Sequence, residues 1–304
     1  MWGILAYFAE FLQTADILRA KKMKVLHTVE AIRAALEPHL TASASVGLVP
    51  TMGALHAGHR ALVERCVSEN SVSVVTVFVN PTQFNDKADL ANYPRTLEAD
   101  CEMLAACGVD YVFAPSETEM YPQTDTRVFS YPPLDEVMEG VFRPGHFNGV
   151  CQIVSKLFDL IRPTKAYFGE KDYQQLAIIR AMVEDKQYPL QIVGCPIVRE
   201  ADGLAMSSRN KRLSPQEREQ ALAISRILFA AQGWAATHSL EQTREFVNQA
   251  LAAAPGLRPE YFEIVDHRTL QPLAEWSSTT KAVGCVAVFC GPVRLIDNIT
   301  FDHA

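Results

Sequence analysis

The sequence lacks an excess of positive charge. Its 28 lysine and arginine residues are outnumbered by 35 aspartate and glutamate residues, so the formal net charge is −7 at pH 7. Binding to nucleic acid or to an acidic membrane surface draws on a dense field of lysine and arginine. The composition therefore argues against both kinds of partner, and any phosphate chemistry must depend on a local site.

Closely spaced cysteine pairs are missing too. Seven cysteines are scattered along the chain without a Cys-x-x-Cys pair, and several lie in apolar runs, as small core residues do. Disulfide frameworks and cysteine-rich zinc sites need regular spacings that this chain does not have. We therefore expect a reduced protein of the cytoplasm.

The sequence also has no transmembrane span, no internal repeat and no low-complexity tract. Residues 1–18 are apolar enough to suggest a signal peptide or an anchor, but the start carries no positive charge and no small-residue cleavage site follows. Polar residues interrupt the apolar character of this segment at Glu10, Gln13, Asp16 and Arg19. We interpret it as an amphipathic helix. Met23 begins a segment that looks like a second chain start. Residues 1–22 are therefore expected to be an N-terminal extension or the result of a wrongly assigned initiation site.

The sequence does contain a regular alternation of strand-like and helix-like segments. Strands are expected at 46–50, 72–79, 109–114, 165–168 and 190–193, and helices at 60–70, 97–107, 149–161 and 172–185. Repeated β-α-β units predict an α/β fold, with a doubly wound parallel sheet and helices on both faces. Ligands of such sheets bind beyond the carboxyl ends of the strands.

A second, smaller α+β domain is expected over residues 198–304, after a first domain at 23–197. Polar helices are expected at 215–233 and 240–254, followed by strands at 260–265, 282–289 and 293–296. The turn-like residues 200–203 lie just after the join, where a hinge is easily accommodated.

The segment Met52-Gly53-Ala54-Leu55-His56-Ala57-Gly58-His59 follows a short buried strand and opens a helix. Its two glycines allow a close backbone approach, and both imidazoles lie where helix N–H groups and the helix dipole favour anions. This arrangement favours a nucleotide triphosphate site. Two other interpretations stay open: half of a metal site, although Ala57-Gly58 supplies no third ligand, or a helix cap without chemistry.

Three further clusters follow the same logic. Phe168-Gly169-Glu170-Lys171-Asp172 ends a strand and offers a lysine to phosphate, although such turns are common on surfaces. Met206-Ser207-Ser208-Arg209-Asn210 is expected to be a mobile, solvent-facing loop that closes over a bound triphosphate, or otherwise an ordinary polar loop. Gln83 and Gln175 are candidates for binding a small polar substrate through their amides, or otherwise turn residues.

The chain resembles the pantothenate synthetase (pantoate–β-alanine ligase) family from about Lys24 onward. The resemblance rests on six ordered motifs: the segment from Pro50 to His59, Phe78-Val79-Asn80-Pro81-x-Gln83-Phe84, Tyr93-Pro94-Arg95-Thr96, Arg143-Pro144-Gly145-His146-Phe147, Phe168-Gly169-Glu170-Lys171-Asp172-Tyr173-Gln174-Gln175-Leu176, and Arg199-Glu200-Ala201-Asp202-Gly203-Leu204-x-Met206-Ser207-Ser208-Arg209-Asn210. One departure is Arg212, where the family commonly has tyrosine.

The resemblance implies a Rossmann-like domain, a C-terminal lid domain and a cytoplasmic homodimer that uses ATP with Mg²⁺. The implied reaction joins (R)-pantoate to β-alanine through pantoyl adenylate, releasing diphosphate and AMP. The implied catalytic residues are His59 as proton donor, His56, Lys171 and Arg209. The implied ATP site comprises Met52, Gly53, Ala54, Leu55, His56, Ala57, Gly58, His59, Gly169, Glu170, Lys171, Asp172, Val198, Met206, Ser207, Ser208 and Arg209. The implied pantoate residues are Gln83 and Gln175, with Gln83 also meeting β-alanine.

Three alternatives keep parts of this interpretation. A nucleotidyltransferase with a phosphorylated co-substrate would call for extra lysine or arginine beside Gln83, and residues 80–85 contain none. A non-catalytic nucleotide sensor would not need His59 and Lys171 together. A metal-binding interaction protein would use His56 and His59. Asp100 could approach a metal through water, but no protein ligand of Mg²⁺ is assigned.

Overall fold

The computed structural model describes residues 23–279 and 281–302. The expected extension at 1–22 therefore lies outside the described residues. The first part of the chain contains β1 (Lys24–Leu26), α1 (Val29–Thr41), β2 (Val46–Thr51), α2 (Ala57–Glu69), β3 (Val72–Val77), α3 (Lys87–Ala91), α4 (Leu97–Ala106), β4 (Tyr111–Phe113), α5 (Glu117–Met120), α6 (Glu139–Phe142), α7 (His146–Ile161), β5 (Lys165–Gly169), α8 (Tyr173–Asp185) and β6 (Gln191–Cys195). The second part contains α9 (Pro215–Ala235), α10 (Leu240–Ala253), β7 (Leu257–Asp266), β8 (Lys281–Cys290) and β9 (Val293–Asp302).

The strands of the first part form a six-stranded parallel sheet in the order β1-β4-β3-β2-β5-β6. The central strands β2 and β3 are almost continuously buried, because helices cover both faces of the sheet. In β3 this burial matches a run of β-branched residues, which pack well on a pleated surface. The expected α/β fold with a doubly wound sheet is confirmed.

The strand order reverses direction between β2 and β5. From β2 the chain continues to β3 on one side of the sheet, whereas β5 pairs with the other edge of β2 and continues to β6. Such a reversal opens a crevice at the carboxyl ends of the two strands, because the connections that leave them go to opposite sides. The segments that follow β2 and β5 carry the two histidines and Lys171.

The second part folds as a three-stranded antiparallel sheet, ordered β7-β8-β9, with α9 and α10 packed beside it. Both helices begin with a capping box, made by Ser214 with Glu217 and by Ser239 with Gln242. These reciprocal bonds satisfy helix N–H groups that otherwise have no partner. The expected smaller α+β unit is therefore present, and β9 is longer than the pattern indicated.

An apolar cluster joins the two parts. This interdomain cluster consists of buried Met138 from the first part and four buried residues of the second, Val265, Leu270, Val283 and Cys285. Tyr173 and Ala177 of α8 pack against it. The two parts are thus held by buried apolar contact as well as by the connecting segment.

The sequence analysis did not identify β1, α1 or the short helices α3, α5 and α6. Three residues are too few for a strand pattern, and α1 buries only Ile32 and Leu36. Among the residues described, none of the helices combines the length and apolar character that a membrane span requires.

Candidate active site

A cavity of about 220 Å³ lies at the crevice between the ends of β2 and β5. Segments from both parts of the chain line it. Of the residues expected in the site, it gathers Met52, His56, Gly58, His59, Gln83, Gly169, Lys171, Asp172, Gln175, Val198, Met206, Ser207, Ser208 and Arg209. It does not include Gly53, Ala54, Leu55, Ala57 or Glu170.

His56 is the N-cap of α2. Its Nδ1 atom accepts a hydrogen bond from the Gly58 N–H at 3.1 Å. A neutral imidazole that accepts at Nδ1 carries its proton on Nε2. The cap thus leaves His56 with one N–H donor, so the interpretation as a helix cap and the interpretation as a phosphate-binding residue are compatible.

His59 lies beside His56, with ring centroids 4.0 Å apart. Burial, with the nearby Lys171, lowers the pKa of His56 to about 4. Burial, with His56 and Lys171, lowers the pKa of His59 to about 3. Both imidazoles are therefore neutral at pH 7 in the free protein, where they act as hydrogen-bonding groups without adding charge.

Asp100 braces the turn between β2 and α2 from behind. Its carboxylate accepts hydrogen bonds from the backbone N–H groups of Ala54, at 3.0 Å, and Leu55, at 2.8 Å. The side chain is almost fully buried. Asp100 is not among the residues that line the cavity, so the suggestion that it approaches a metal finds no support in this geometry.

The segment after β5 is positioned by a residue that the sequence analysis missed. Asn298 of β9 donates from Nδ2 to the backbone carbonyl oxygens of Glu170, at 2.9 Å, and Lys171, at 3.0 Å. These bonds fix the short 3₁₀ turn Glu170–Asp172, whose residues Lys171 and Asp172 line the cavity. No local pattern identifies Asn298, because it acts across 127 or more positions of sequence.

Gln83 follows β3, in the short 3₁₀ helix Pro81–Gln83. Its Oε1 atom accepts from Asn80 Nδ2 at 3.2 Å, and its Nε2 atom contacts Met52 Sδ at 3.2 Å. Asn80 is itself buried, and its Oδ1 atom accepts from the Tyr121 hydroxyl at 2.7 Å. The amide of Gln83 is thus held in one orientation by neutral partners at the cavity wall.

The expectation that Arg209 faces solvent is wrong. Its guanidinium pairs with Asp89 of α3 at 2.8 Å, and Arg212 pairs with the same carboxylate at 2.9 Å. Ser208 is buried and donates from its hydroxyl to the Ala54 carbonyl oxygen at 3.1 Å. The segment is therefore docked onto the first part of the chain through partners that are distant in sequence.

The interpretation of His56 and His59 as half of a metal site finds no third ligand. Within residues 23–279 and 281–302, no three histidine, cysteine, aspartate or glutamate side chains come together to hold an ion.

Comparison with known proteins agrees with this geometry. The family described as pantoate-beta-alanine ligase matches residues 24–300. A pantothenate synthetase of Bacteroides fragilis is 65% identical over 282 residues, covering 93% of this chain and 100% of that protein. The pantothenate synthetase structure from Thermus thermophilus is 47% identical, covers 91% of this chain and 99% of that chain, and has a TM-score of 0.86.

The pantoate-beta-alanine ligase structure from Francisella tularensis, complexed with beta-gamma ATP and beta-alanine, is 35% identical and has a TM-score of 0.77. It covers 91% of this chain and 97% of that chain. The match therefore extends over both the parallel sheet and the antiparallel sheet. This chain belongs to the pantoate–β-alanine ligase family.

Proposed function

We propose that the cavity at the ends of β2 and β5 carries out both steps of the family's reaction. That reaction is the ATP-dependent condensation of (R)-pantoate with β-alanine to (R)-pantothenate, through pantoyl adenylate, with release of diphosphate and AMP. One observation carries the proposal. The cavity combines a wall of phosphate-binding groups, His56, His59, Lys171 and Arg209, with the neutral amides of Gln83 and Gln175.

The first step is attack by the pantoate carboxylate on the α-phosphorus of ATP. A new P–O bond forms and the bond to diphosphate breaks, so negative charge builds up on the transferring and departing phosphates. Lys171 and Arg209 supply positive charge. His56 and His59 are neutral in the free enzyme and supply N–H hydrogen-bond donors without adding charge. His59 is assigned as the donor to the departing diphosphate.

Pantoate is held by Gln83 and Gln175. Amides recognise a carboxylate and hydroxyl groups without neutralising the charge of the nucleophile. The fixed orientation of Gln83, imposed by Asn80 and Met52, keeps its binding group in place before the substrate arrives. In the second step the neutral β-alanine amine attacks the acyl carbon and the amide bond forms. The bond between that carbon and the AMP phosphate oxygen breaks, AMP leaves with the bonding electrons, and the amine proton passes to water.

ATP enters as its Mg²⁺ complex, with the ion held by phosphate oxygens and water. Residues 198–304 act as the lid domain over the first domain at 23–197, and Ser207, Ser208 and Arg209 form its phosphate-facing edge. Of the remaining ATP contacts expected from the family resemblance, Met52, Gly58, Gly169, Asp172, Val198 and Met206 line the cavity, whereas Gly53, Ala54, Leu55, Ala57 and Glu170 do not. The same resemblance supports a homodimer, and the seven free cysteines support a reducing cytoplasmic setting.

Product analysis tests the proposal directly. The full-length protein is incubated with ATP, Mg²⁺, pantoate and β-alanine, and AMP, diphosphate and pantothenate are quantified. Omitting β-alanine should still give diphosphate and an enzyme-bound acyl adenylate, because adenylation precedes amide formation. Diphosphate that appears only with β-alanine would exclude a separate first step, and formation of ADP with phosphate would exclude adenylation.

A further inference from the structure

Two arginine side chains share one carboxylate beside the main cavity. Asp89 of α3 accepts a hydrogen bond from Arg209 Nη2 on its Oδ2 atom, at 2.8 Å, and another from Arg212 Nη1 on its Oδ1 atom, at 2.9 Å. Of these three residues, which we call the Asp89 cluster, Arg209 lines the cavity and the other two do not. An effect of Asp89 or Arg212 on a ligand in the cavity must therefore pass through Arg209 or through their charges.

Partial burial strengthens the influence of the Asp89 charge. Only 22% of its side chain is exposed. Burial alone would raise the pKa of the Asp89 carboxyl, but the neighbouring guanidinium groups of Arg209 and Arg212 lower it below its usual value. The carboxylate is therefore ionised at pH 7. Since water and salt screen a partly buried charge incompletely, it would repel an anion that lies on the other side of Arg209.

The charges of the Asp89 cluster do not cancel. If Arg209 were paired with Asp89 alone, the pair would be neutral and would bring no net positive charge to the cavity wall. Arg212 pairs with the same carboxylate, so two guanidinium groups face one carboxylate and one positive charge is left over. That surplus is available at Arg209, because Arg209 is the member of the cluster that lines the cavity.

Arg209 also keeps hydrogen-bond donors for a ligand. Its Nη2 atom binds Asp89, and its guanidinium carbon lies 6.0 Å from the ring centroid of Tyr93, another residue of the cavity wall. Within residues 23–279 and 281–302, no acceptor is bonded to Nε or Nη1 of Arg209. Phosphate oxygens can therefore take these donors while the bond between Arg209 and Asp89 stays intact.

We propose that Arg212 neutralises Asp89 and so leaves the positive charge of Arg209 to the phosphates of ATP. Asp89 holds Arg209 in place, and Arg212 offsets the repulsion that this carboxylate would otherwise exert on the nucleotide. Arg212 is thus a positioning residue that acts through Asp89 and Arg209. The inference rests on the proposed function, since it requires a nucleotide triphosphate in the main cavity. It also assigns a role to the position at which the family commonly has tyrosine.

Steady-state kinetics of variants at position 212 test the charge requirement. Arg212→Gln and Arg212→Tyr should each raise the KM for ATP by about tenfold, because the carboxylate then cancels the charge of Arg209. Arg212→Lys keeps the charge and should stay within about threefold of the wild type. In all three variants kcat and the KM for pantoate should change by less than about twofold, since Arg209 stays bound to Asp89.

A double-mutant cycle separates charge compensation from a structural role. Asp89→Asn removes the charge that Arg212 offsets, so the KM for ATP should stay within about threefold of the wild type both in Asp89→Asn and in the double variant with Arg212→Gln. The second substitution thus rescues the first. If Arg212 only tethered its segment to α3 through the ion pair, Asp89→Asn would raise the KM as much as Arg212→Gln does. Circular dichroism and thermal unfolding establish that each variant is folded, and Arg212→Tyr takes the place of Arg212→Gln in the cycle if the latter is not.

Arg244→Gln is the matched control for the loss of one positive charge. Arg244 of α10 is also a partly exposed arginine paired with a carboxylate, that of Glu241, and it does not line the main cavity. Its substitution should leave the KM for ATP unchanged, and an equal rise there would overturn the proposal. An unchanged KM for ATP in Arg212→Gln, or a rise that persists in the double variant, would overturn it as well. Failure of the wild type to release diphosphate from ATP and pantoate would instead refute the proposed function.

Discussion

The close packing of Gly149 against the Gln83 segment makes Gly149→Ala an informative perturbation. Gly149 lies in α7, and a Cβ atom added there would be 2.3 Å from the Thr82 carbonyl oxygen and 2.6 Å from the Gln83 nitrogen. Both atoms belong to the backbone, so no flexible side chain can move aside. The methyl group must therefore displace the 3₁₀ helix Pro81–Gln83 or the helix α7.

The size of the displacement follows from these distances. An ordinary non-bonded contact is about 3.5 Å, so the Gln83 segment must shift by about 1 Å. A misplacement of that size in a substrate-positioning group lowers the rate by about 10²-fold. Overpacking of this kind also costs about 1–3 kcal/mol of unfolding free energy. We expect kcat/KM for pantoate to fall by about 10², while the KM for ATP changes little.

Steady-state kinetics with each substrate varied in turn measures this effect, and urea unfolding measures the loss of stability. Gly233→Ala is the matched control, because Gly233 lies on an exposed part of α9 and an added Cβ would meet no atom within 4 Å. It should preserve activity and stabilise the helix by up to about 1 kcal/mol. If Gly149→Ala keeps wild-type kcat/KM for pantoate, the tight contact does not position Gln83 and the reasoning fails.

Three further predictions concern the site and its titrating groups. His59→Ala should lower kcat by about 10²–10³ through loss of a preorganised donor, whereas Gln83→Ala should chiefly raise the KM for pantoate. Equal small effects of the two substitutions on kcat and KM would indicate a binding surface away from the reacting centre. Amide hydrogen exchange at residues 206–212 should slow with MgATP, and Asp89→Asn should speed it in the nucleotide-free enzyme by releasing Arg209. Equal protection of these residues in every state would show that they do not act as a gate. Because the pKa of His146 is lowered to about 4, the unfolded chain binds a proton below pH 6.5 that the folded chain does not. Stability should therefore fall by up to about 3 kcal/mol as the pH drops from 6.5 to 4, and urea unfolding of His146→Asn should show a shallower pH dependence.

The sequence predicted the site best where chemistry follows strand order. The histidines after β2 and Lys171 after β5 come together because parallel strands end at the same edge of a sheet, which hydrophobic periodicity already indicates. Hydrophobic periodicity also predicted the bounds of the central strands β2 and β3 to within a few residues. Element ends were less predictable, because side-chain caps and tertiary contacts decide them.

The supporting residues could not be predicted in the same way. Asp100 binds the turn 45 positions before it, and Asn298 reaches the 3₁₀ turn Glu170–Asp172 from the last strand. Neither contact leaves a periodic or motif signal. The composition of residues 206–210 predicted an exposed polar loop. The pairing of Arg209 with Asp89, 120 positions away, depends on the fold and could not be deduced from that composition. Long-range partners of this kind are what local pattern cannot supply.

The interdomain cluster has a mechanical consequence for any lid movement. Pulling its buried valine, leucine and methionine side chains apart would cost about 1.5–3 kcal/mol for each one exposed. A rotation of the second part of the chain that keeps the cluster intact is therefore favoured, with its axis passing near the cluster. Met138 and Cys285 of this cluster, together with Tyr261, which packs against it, also line a second cavity of about 30 Å³. That second cavity therefore lies close to the axis of such a rotation and keeps its shape. The largest displacements would occur at the atoms of residues 198–304 that lie farthest from the cluster.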